Sequence, residues 1–393
     1  MNFRNMLIAA AAVLSWWPSA AQGELGELLQ AVERNNLTLQ AEGYAVEGRS
    51  REARMGNSLD PLSVSYNTAW ASPQEALNTG ELEVSQEFDL PMLYVTRNRK
   101  ARNLAGQYES EYAGLRQQIL LDAKQTYLEL CAMKRLSAVV RPRLEATRHV
   151  AALYASRYET GDATAIDKNR TEMEYLAVRE SVSQIDMRII ELMQKLLNLN
   201  GGIAVECDFT MPPAESLVEL DRLLADWEEY DPELAVSRLK ETDSEYDVRL
   251  SRQQALPKVE LGYKYEYAMD ENSNGFTAGL SIPIFSNRHN VKRAKAMSHA
   301  AKLNTEAAAA QMRATVTEMY QKAVYMGDLL DAFGNMPDAG DYVDMMRRTL
   351  EAGQITIVDY YSGVDTFYTT LETSIRTELE YRLCLARLNA IYM

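Results

Sequence analysis

Residues 62–70 alternate between apolar and polar positions. Leu62, Val64, Tyr66, Thr68 and Trp70 fall on one face of an extended chain, and Ser63, Ser65, Asn67 and Ala69 fall on the other. Successive side chains of a strand point to opposite faces, so this period of two predicts a strand. The same rule predicts strands over 80–90, 257–267 and 275–285. In the second, Leu82, Val84, Gln86, Phe88 and Leu90 oppose Glu81, Glu83, Ser85, Glu87 and Asp89. In the third, Val259, Leu261, Tyr263, Tyr265 and Tyr267 oppose Lys258, Glu260, Gly262, Lys264 and Glu266; in the fourth, Phe276, Ala278, Leu280, Ile282 and Ile284 share the apolar face. Polar stretches at 71–79 and 269–274 join the strands in pairs. A barrel wall between lipid and a wet lumen has this pattern. A soluble sheet covering a core has it too, and the strands alone leave both open.

Between and after the hairpins the period changes to that of helices. From Leu93 to Thr160 only Pro142 interrupts a helical pattern, which predicts a rod of roughly 100 Å. Globular layers need nothing so long, and no segment reads as a second layer for the sheet. In the returning helix, 162–199, Val178, Val182, Ile185, Ile189, Leu192, Leu196 and Leu199 recur at alternating steps of four and three, a seam of coiled-coil type. The second half repeats the scheme with helices over 288–350 and 354–391. Small residues crowd 294–314, and Val364, Phe367, Leu371, Leu379 and Leu383 form a looser seam.

The two halves are copies. Gly161 and Gly353 stand 192 positions apart, as do Pro91 and Pro283, and Pro142 and Gly334. Asn36–Leu39 resembles Asp231–Leu234, and Asp60-Pro61-Leu62 resembles Leu256-Pro257-Lys258, at nearly the same offset. Each half parses as a short helix (36–58, 232–254), a hairpin, a long helix, a turn at the glycine and another long helix. A first repeat is expected over 22–200 and a second over 231–393. The segment 201–230 between them opens on Gly201-Gly202, contains Pro212-Pro213, and is expected to pack outside the rods as part of an equatorial band. Pro142, and the stretch 333–340, are expected to break their rods.

Composition narrows the classes. Arg4, the apolar run Met6–Trp17 and Ser19-Ala20-Ala21 make a secretory signal peptide over residues 1–21, cleaved before Gln22; an uncut anchor is the alternative, although the run is short for a span. No later stretch has 18 consecutive apolar residues, so membrane insertion would have to be by strands. The net charge of -15 argues against nucleic acid as a partner. Cys131, Cys207 and Cys384 and three histidines form no metal or redox motif, no nucleophile elbow or phosphate loop appears, and the chain reads as no enzyme. The 18 Met are spread through helices and near turns with no His-Cys clustering, which suits core packing over metal binding. Four strands cannot close a barrel and open edges are not tolerated in lipid, so oligomerisation is required; three or four copies both give an even strand number.

Taken together, the duplication, the hairpins ending in apolar-Pro-apolar (Ile282-Pro283-Ile284, and Leu90-Pro91 more weakly) and the far-turn phrase Gly-x-x-[Thr/Ala]-[Ile/Leu]-x-Asp resemble the trimeric outer-membrane efflux ducts of the TolC family. Gly353–Asp359, with Thr356-Ile357-Val358-Asp359, carries that phrase most closely, and Gly161–Asp167 is a weaker copy. The resemblance implies an internally duplicated α/β membrane protein. Its trimer would form a 12-stranded β-barrel, four strands per protomer, continuing into a long periplasmic α-helical coiled-coil barrel. It implies a passive exit duct of a tripartite efflux system, in the bacterial outer membrane and extending into the periplasm. The homotrimer would contact outer-membrane lipid, a periplasmic adaptor and an inner-membrane transporter, and would pass small molecules, drugs or metal ions, with no cofactor of its own. A duct for type I protein secretion is an alternative; a structural coiled-coil envelope protein is another, though a surface rod needs no amphipathic hairpins.

The resemblance also assigns residues. Asp359 matches a position at which these ducts ring their periplasmic mouth with carboxylates, and three such groups about one axis repel each other or hold cations. The family's second acid falls on Ser362, with Asp365 as a substitute one turn later. An acid in the first helical turn is the plainer account of Asp359. An arginine that commonly locks the mouth is replaced here by Ile355, leaving Arg347 and Arg348 as candidates. Gly161, Asp167, Gly353 and Thr356, with Tyr158, Thr160 and Leu350, mark the helical tips where an adaptor is expected to dock. Glu81, Glu83, Glu87, Lys258, Glu260, Lys264 and Glu266 are expected to face the barrel lumen, where a negative excess suits cations; solvation of a water-filled wall accounts for them equally.

Overall fold

The computed structural model describes residues 23–70, 78–268, 271–282, 289–334 and 339–393. The expected signal peptide, residues 71–77 of the first turn, Pro283, Ile284 and Phe285, and residues 335–338 lie outside the described residues. Along the chain run α1 (Glu24–Asn35), α2 (Leu37–Met55), β1 (Ser63–Trp70), β2 (Asn78–Phe88), α3 (Pro91–Thr160) and α4 (Ala165–Leu199). They are followed by α5 (Leu220–Tyr230), α6 (Pro232–Gln253), β3 (Lys258–Ala268), β4 (Glu271–Ser281), α7 (Asn290–Phe333), α8 (Ala339–Glu351) and α9 (Ile357–Leu388). The chain divides into two compact units, and α3 and α7 each contribute to both.

The unit formed by 41–115 and 227–313 carries the sheet. Its strands form an antiparallel meander in the order β1-β2-β3-β4. The register sets Val64 opposite Val84, Tyr66 opposite Leu82, and Leu82 opposite Tyr265. It also sets Val84 opposite Tyr263 and Tyr263 opposite Phe276, so the apolar positions of all four strands share one face. Among the described residues nothing covers that face: Val64 is 62 % exposed and Phe276 is 92 % exposed. Gly80 on this face leaves room for its cross-strand neighbour, since a Cβ there would lie 2.2 Å from the Tyr267 ring. β4 begins at Glu271, four residues before the start that alternation predicts. The cause is cross-strand pairing, which extends out to Ala268 opposite Glu271. In the same unit α3 meets α6, where Asn103 donates to the Leu239 carbonyl at 2.8 Å and Lys100 pairs with Asp243 at 3.5 Å.

The other unit, described over 23–40, 116–226 and 314–393, is helical. One core joins Leu128, Ala132, Leu136 and Val140 of α3 to Val178, Val182 and Ile185 of α4 and to Ile375, Leu379 and Leu383 of α9. The α4 seam thus faces inward as its spacing predicts, and Ile375 fills the gap between Leu371 and Leu379. Each fully buried aliphatic side chain of this kind contributes about 1.5–3 kcal/mol. A second core gathers Val150 and Tyr154 of α3, Leu350 of α8, and Ile357, Tyr360, Tyr361, Val364, Phe367 and Tyr368 of α9.

One expectation needs correction. Pro142 does not break the first rod: α3 is one helix of 70 residues with the proline inside it. A mid-helix proline costs about 3 kcal/mol or more. Buried Leu136, Val140 and Arg143 on either side hold the helix together across it. The second rod does end, with α7 at Phe333 and α8 from Ala339. The first short helix forms as the single element α2, and α1 precedes it. Asn36 stands between α1 and α2, and its Oδ1 accepts from the Leu39 amide at 3.0 Å, as an N-cap does.

Candidate functional site

The repeated glycine phrases build one device twice. Gly161 has φ of 83° and Gly353 has φ of 70°, the left-handed conformation that glycine adopts without strain. After each, the next amide reaches back to close the preceding helix: Asp162 N donates to the Arg157 carbonyl at 2.7 Å, and Gln354 N to the Thr349 carbonyl at 3.1 Å. Three residues past each glycine a threonine caps the following helix. Thr164 Oγ1 accepts from the Asp167 amide at 3.1 Å, and Thr356 Oγ1 from the Asp359 amide at 3.2 Å. In return the aspartates accept from the threonine amides, at 3.2 Å in both copies. Each turn is therefore a glycine stop followed by a reciprocal capping box. These bonds from the Thr356 hydroxyl and amide hold the Asp359 carboxyl below the usual aspartate range. The residues between threonine and aspartate leave apolar side chains in solvent: Ile166 is 79 % exposed and Val358 is 44 % exposed.

On α9 the aromatic residues turn inward, and Asp359, Ser362 and Asp365 share the exposed side. Asp359 is engaged in the cap. Asp365 accepts from Arg143 Nη2 at 3.0 Å, and the same nitrogen donates to Glu174 of α4 at 2.9 Å. The guanidinium lies 5.0 Å from the centre of the Tyr368 ring. The arginines proposed as replacements for the lock at Ile355 pair within α8 instead: Arg347 with Asp344 and Glu351, and Arg348 with Asp344. Arg143 joins α3 to α9, as Arg135 does through Glu378, and the sequence reading passed over it. A signal was present, since Leu136, Val140, Arg143, Thr147, Val150 and Tyr154 step by four and three along α3. A cation at such a position must find partners inside the packing.

The sheet face opposite the apolar one brings the expected charged residues together. Lys264 Nζ lies 3.1 Å from Glu81 and 3.8 Å from Glu266, with Glu83 directly across from it. Lys258 lies 3.4 Å from Glu87, 3.6 Å from Asp60 and 3.9 Å from Asp89, and Glu260 pairs in register with Glu87. Asp89 is buried and takes its closest cation from Arg97, at 2.7 Å. Among the described residues no group of three or more His, Cys, Asp or Glu is arranged to hold a metal, and no helix is long and apolar enough to cross a membrane.

Comparison with known proteins agrees with this organisation. Residues 223–392 match the family model described as outer membrane efflux protein. The second half of the chain is therefore similar to outer membrane efflux proteins. The chain is 22 % identical to the pyoverdine export outer membrane protein OpmQ of Pseudomonas aeruginosa, over 97 % of this chain and 86 % of that one. Among solved structures, a membrane protein from Pseudomonas aeruginosa superposes with a TM-score of 0.81 at 17 % identity, covering 94 % of this chain and 90 % of that chain. The open-state MtrE outer membrane channel of Neisseria gonorrhoeae gives 0.76 at 13 % identity, covering 94 % and 88 %. These likenesses establish the fold of one efflux-channel protomer.

Proposed function

We propose that this chain is one protomer of a passive exit duct in the bacterial outer membrane, three copies of which close a barrel of twelve strands. The observation that carries the reading is the two-faced sheet. Among the described residues its apolar face is uncovered, its opposite face is charged, and β1 and β4 are its outermost strands. Backbone edges in lipid must be paired, so closure with further copies is the arrangement this sheet requires. The long helices then continue the wall into the periplasm. An adaptor docks at the two tip turns, where Ile166 and Val358 offer apolar contact beside Gly161, Asp167, Gly353 and Thr356, and an inner-membrane transporter supplies the energy. Charged side chains of the lumen face, carboxylates in the majority, favour cationic cargo over anionic. Asp359, with Ser362 and Asp365 along the same side of α9, forms the constriction. The export of pyoverdine named for the curated relative supports a small-molecule cargo over a secreted protein.

Single-channel conductance of the purified protein in a planar bilayer tests this directly, comparing wild type with Asp359→Ala and adding divalent cations from the periplasmic side. Low, cation-selective conductance that divalents block only in wild type is the expected result. A pore indifferent to Asp359→Ala would keep the duct and move the constriction. Absence of any pore from a purified trimer would overturn the reading.

A further inference from the structure

Cys131 sits within α3, 3 % exposed, on the helix face that also carries Tyr127 and Lys134. The segment Cys207–Thr210, from the connection between α4 and α5, is fastened across that face at three points. The Tyr127 hydroxyl donates to the Thr210 carbonyl at 3.0 Å. The Phe209 ring centre lies 5.5 Å from that of Tyr127 and 4.4 Å from Lys134 Nζ. Lys134 donates to the Asp208 carbonyl at 3.4 Å. Glu24 completes the anchorage, accepting from Tyr127 at 2.9 Å and from the Asp208 amide at 3.2 Å. Phe209 has φ of 56°, a left-handed conformation costly for an aromatic residue, so these anchors hold the segment against local strain.

The two thiols therefore share one neighbourhood. Cys131 lies one turn from Tyr127 and one turn from Lys134, and Cys207 is the residue before the fastened stretch. Glu24 and Lys134 act electrostatically on both sulfurs, and both sulfurs act on Tyr127. Burial pushes the Cys131 thiol up to about 12 and raises Cys207 as well, so in the closed fold neither is a ready nucleophile. Cys384 is placed elsewhere, on α9, with its Sγ donating to the Met319 carbonyl at 3.0 Å.

We propose that Cys131 and Cys207 form a disulfide that locks the 207–210 segment onto α3, the free thiols described here being its reduced form. The proposal rests on the outer-membrane reading, because the periplasm is an oxidising compartment. The bond is made while the chain folds and both thiols are still solvated. The Cys207 thiolate attacks the disulfide of an oxidised thiol–disulfide oxidoreductase and expels one of its sulfurs as thiolate. The Cys131 thiolate then attacks the Cys207 sulfur and expels the other. Two protons leave the chain's thiols, and two electrons pass to the oxidant, which departs as a dithiol. The new ring encloses the end of α3, the Gly161 turn and all of α4.

The test isolates full-length protein from the outer-membrane fraction without reductant, alkylates it under denaturing conditions and maps its cysteine peptides by mass spectrometry. The expected result is a linked Cys131–Cys207 peptide pair with Cys384 alkylated. Thermal denaturation should shift downward on adding reductant in wild type and in Cys384→Ser, but not in Cys207→Ser. Outer-membrane protein with all three thiols alkylated, or with Cys384 in the bond, would overturn the proposal and leave the duct reading standing. Absence of the protein from that fraction would instead strike the duct reading itself.

Discussion

Arg143 reaches Asp365 and Glu174 through the same nitrogen, at 3.0 and 2.9 Å, and so ties α3 to both α9 and α4. The arginine side chain is only 10 % exposed, whereas Asp365 is 62 % exposed. That asymmetry sets the outcome of substitution. Removing both carboxylates, by Glu174→Gln with Asp365→Asn, leaves a buried cation without a counter-charge and is expected to cost about 3 kcal/mol. Arg143→Met removes the buried charge and lets the carboxylates hydrate, and is expected to cost less than about 1.5 kcal/mol. Thermal denaturation of the three proteins checks the order, which reverses if the exposed pair dominates.

The cap around Asp359 predicts a pH dependence. Its folded pKa is depressed, so its stabilising contribution is complete above the ordinary aspartate value of about 3.9 and is lost as pH falls through the lower folded value. Between pH 5 and 7 the carboxylate stays charged, and conductance is expected to show no Asp359-dependent step in that range. A step there that disappears in Asp359→Asn would mean that repulsion among three copies outweighs the cap.

Lys264 predicts a change in ion selectivity. It is the cation among Glu81, Glu83 and Glu266 on the charged face of the sheet. Lys264→Glu is expected to raise the preference for cations, read from the reversal potential in a salt gradient, while Lys264→Gln shifts it less. An unchanged reversal potential would take this face out of the conduction path.

Gly80 predicts a steric rescue. Gly80→Ala forces a methyl group against the Tyr267 ring, whose hydroxyl lies 3.3 Å from that of Tyr66. A cost of about 1–3 kcal/mol and a lower yield of assembled oligomer are expected. Adding Tyr267→Ala removes the obstruction and should recover part of the yield. No recovery would show that the glycine is needed for its backbone instead.

Much of this molecule was legible before any coordinates. Alternation placed the four strands to within a few residues, apart from the earlier start of β4, because a pleated backbone turns each neighbour to the opposite face. The seam from Val178 to Leu196 marked the buried side of α4 for the same kind of reason. The repeated glycine phrase announced its own geometry, since glycine at the stop and Ser/Thr three residues before an acid are local chemistry.

What the sequence determined by itself was the periodicity, the duplication and the turn chemistry, all of which act between residues a few positions apart. Tertiary structure alone decided that α3 runs through Pro142, that Cys207–Thr210 lies on the Tyr127 face, and that Arg143 finds Asp365, 222 positions away. Such pairings depend on which helices pack together. A buried cation or a mid-helix proline records only that some partner must exist, and the packing names it.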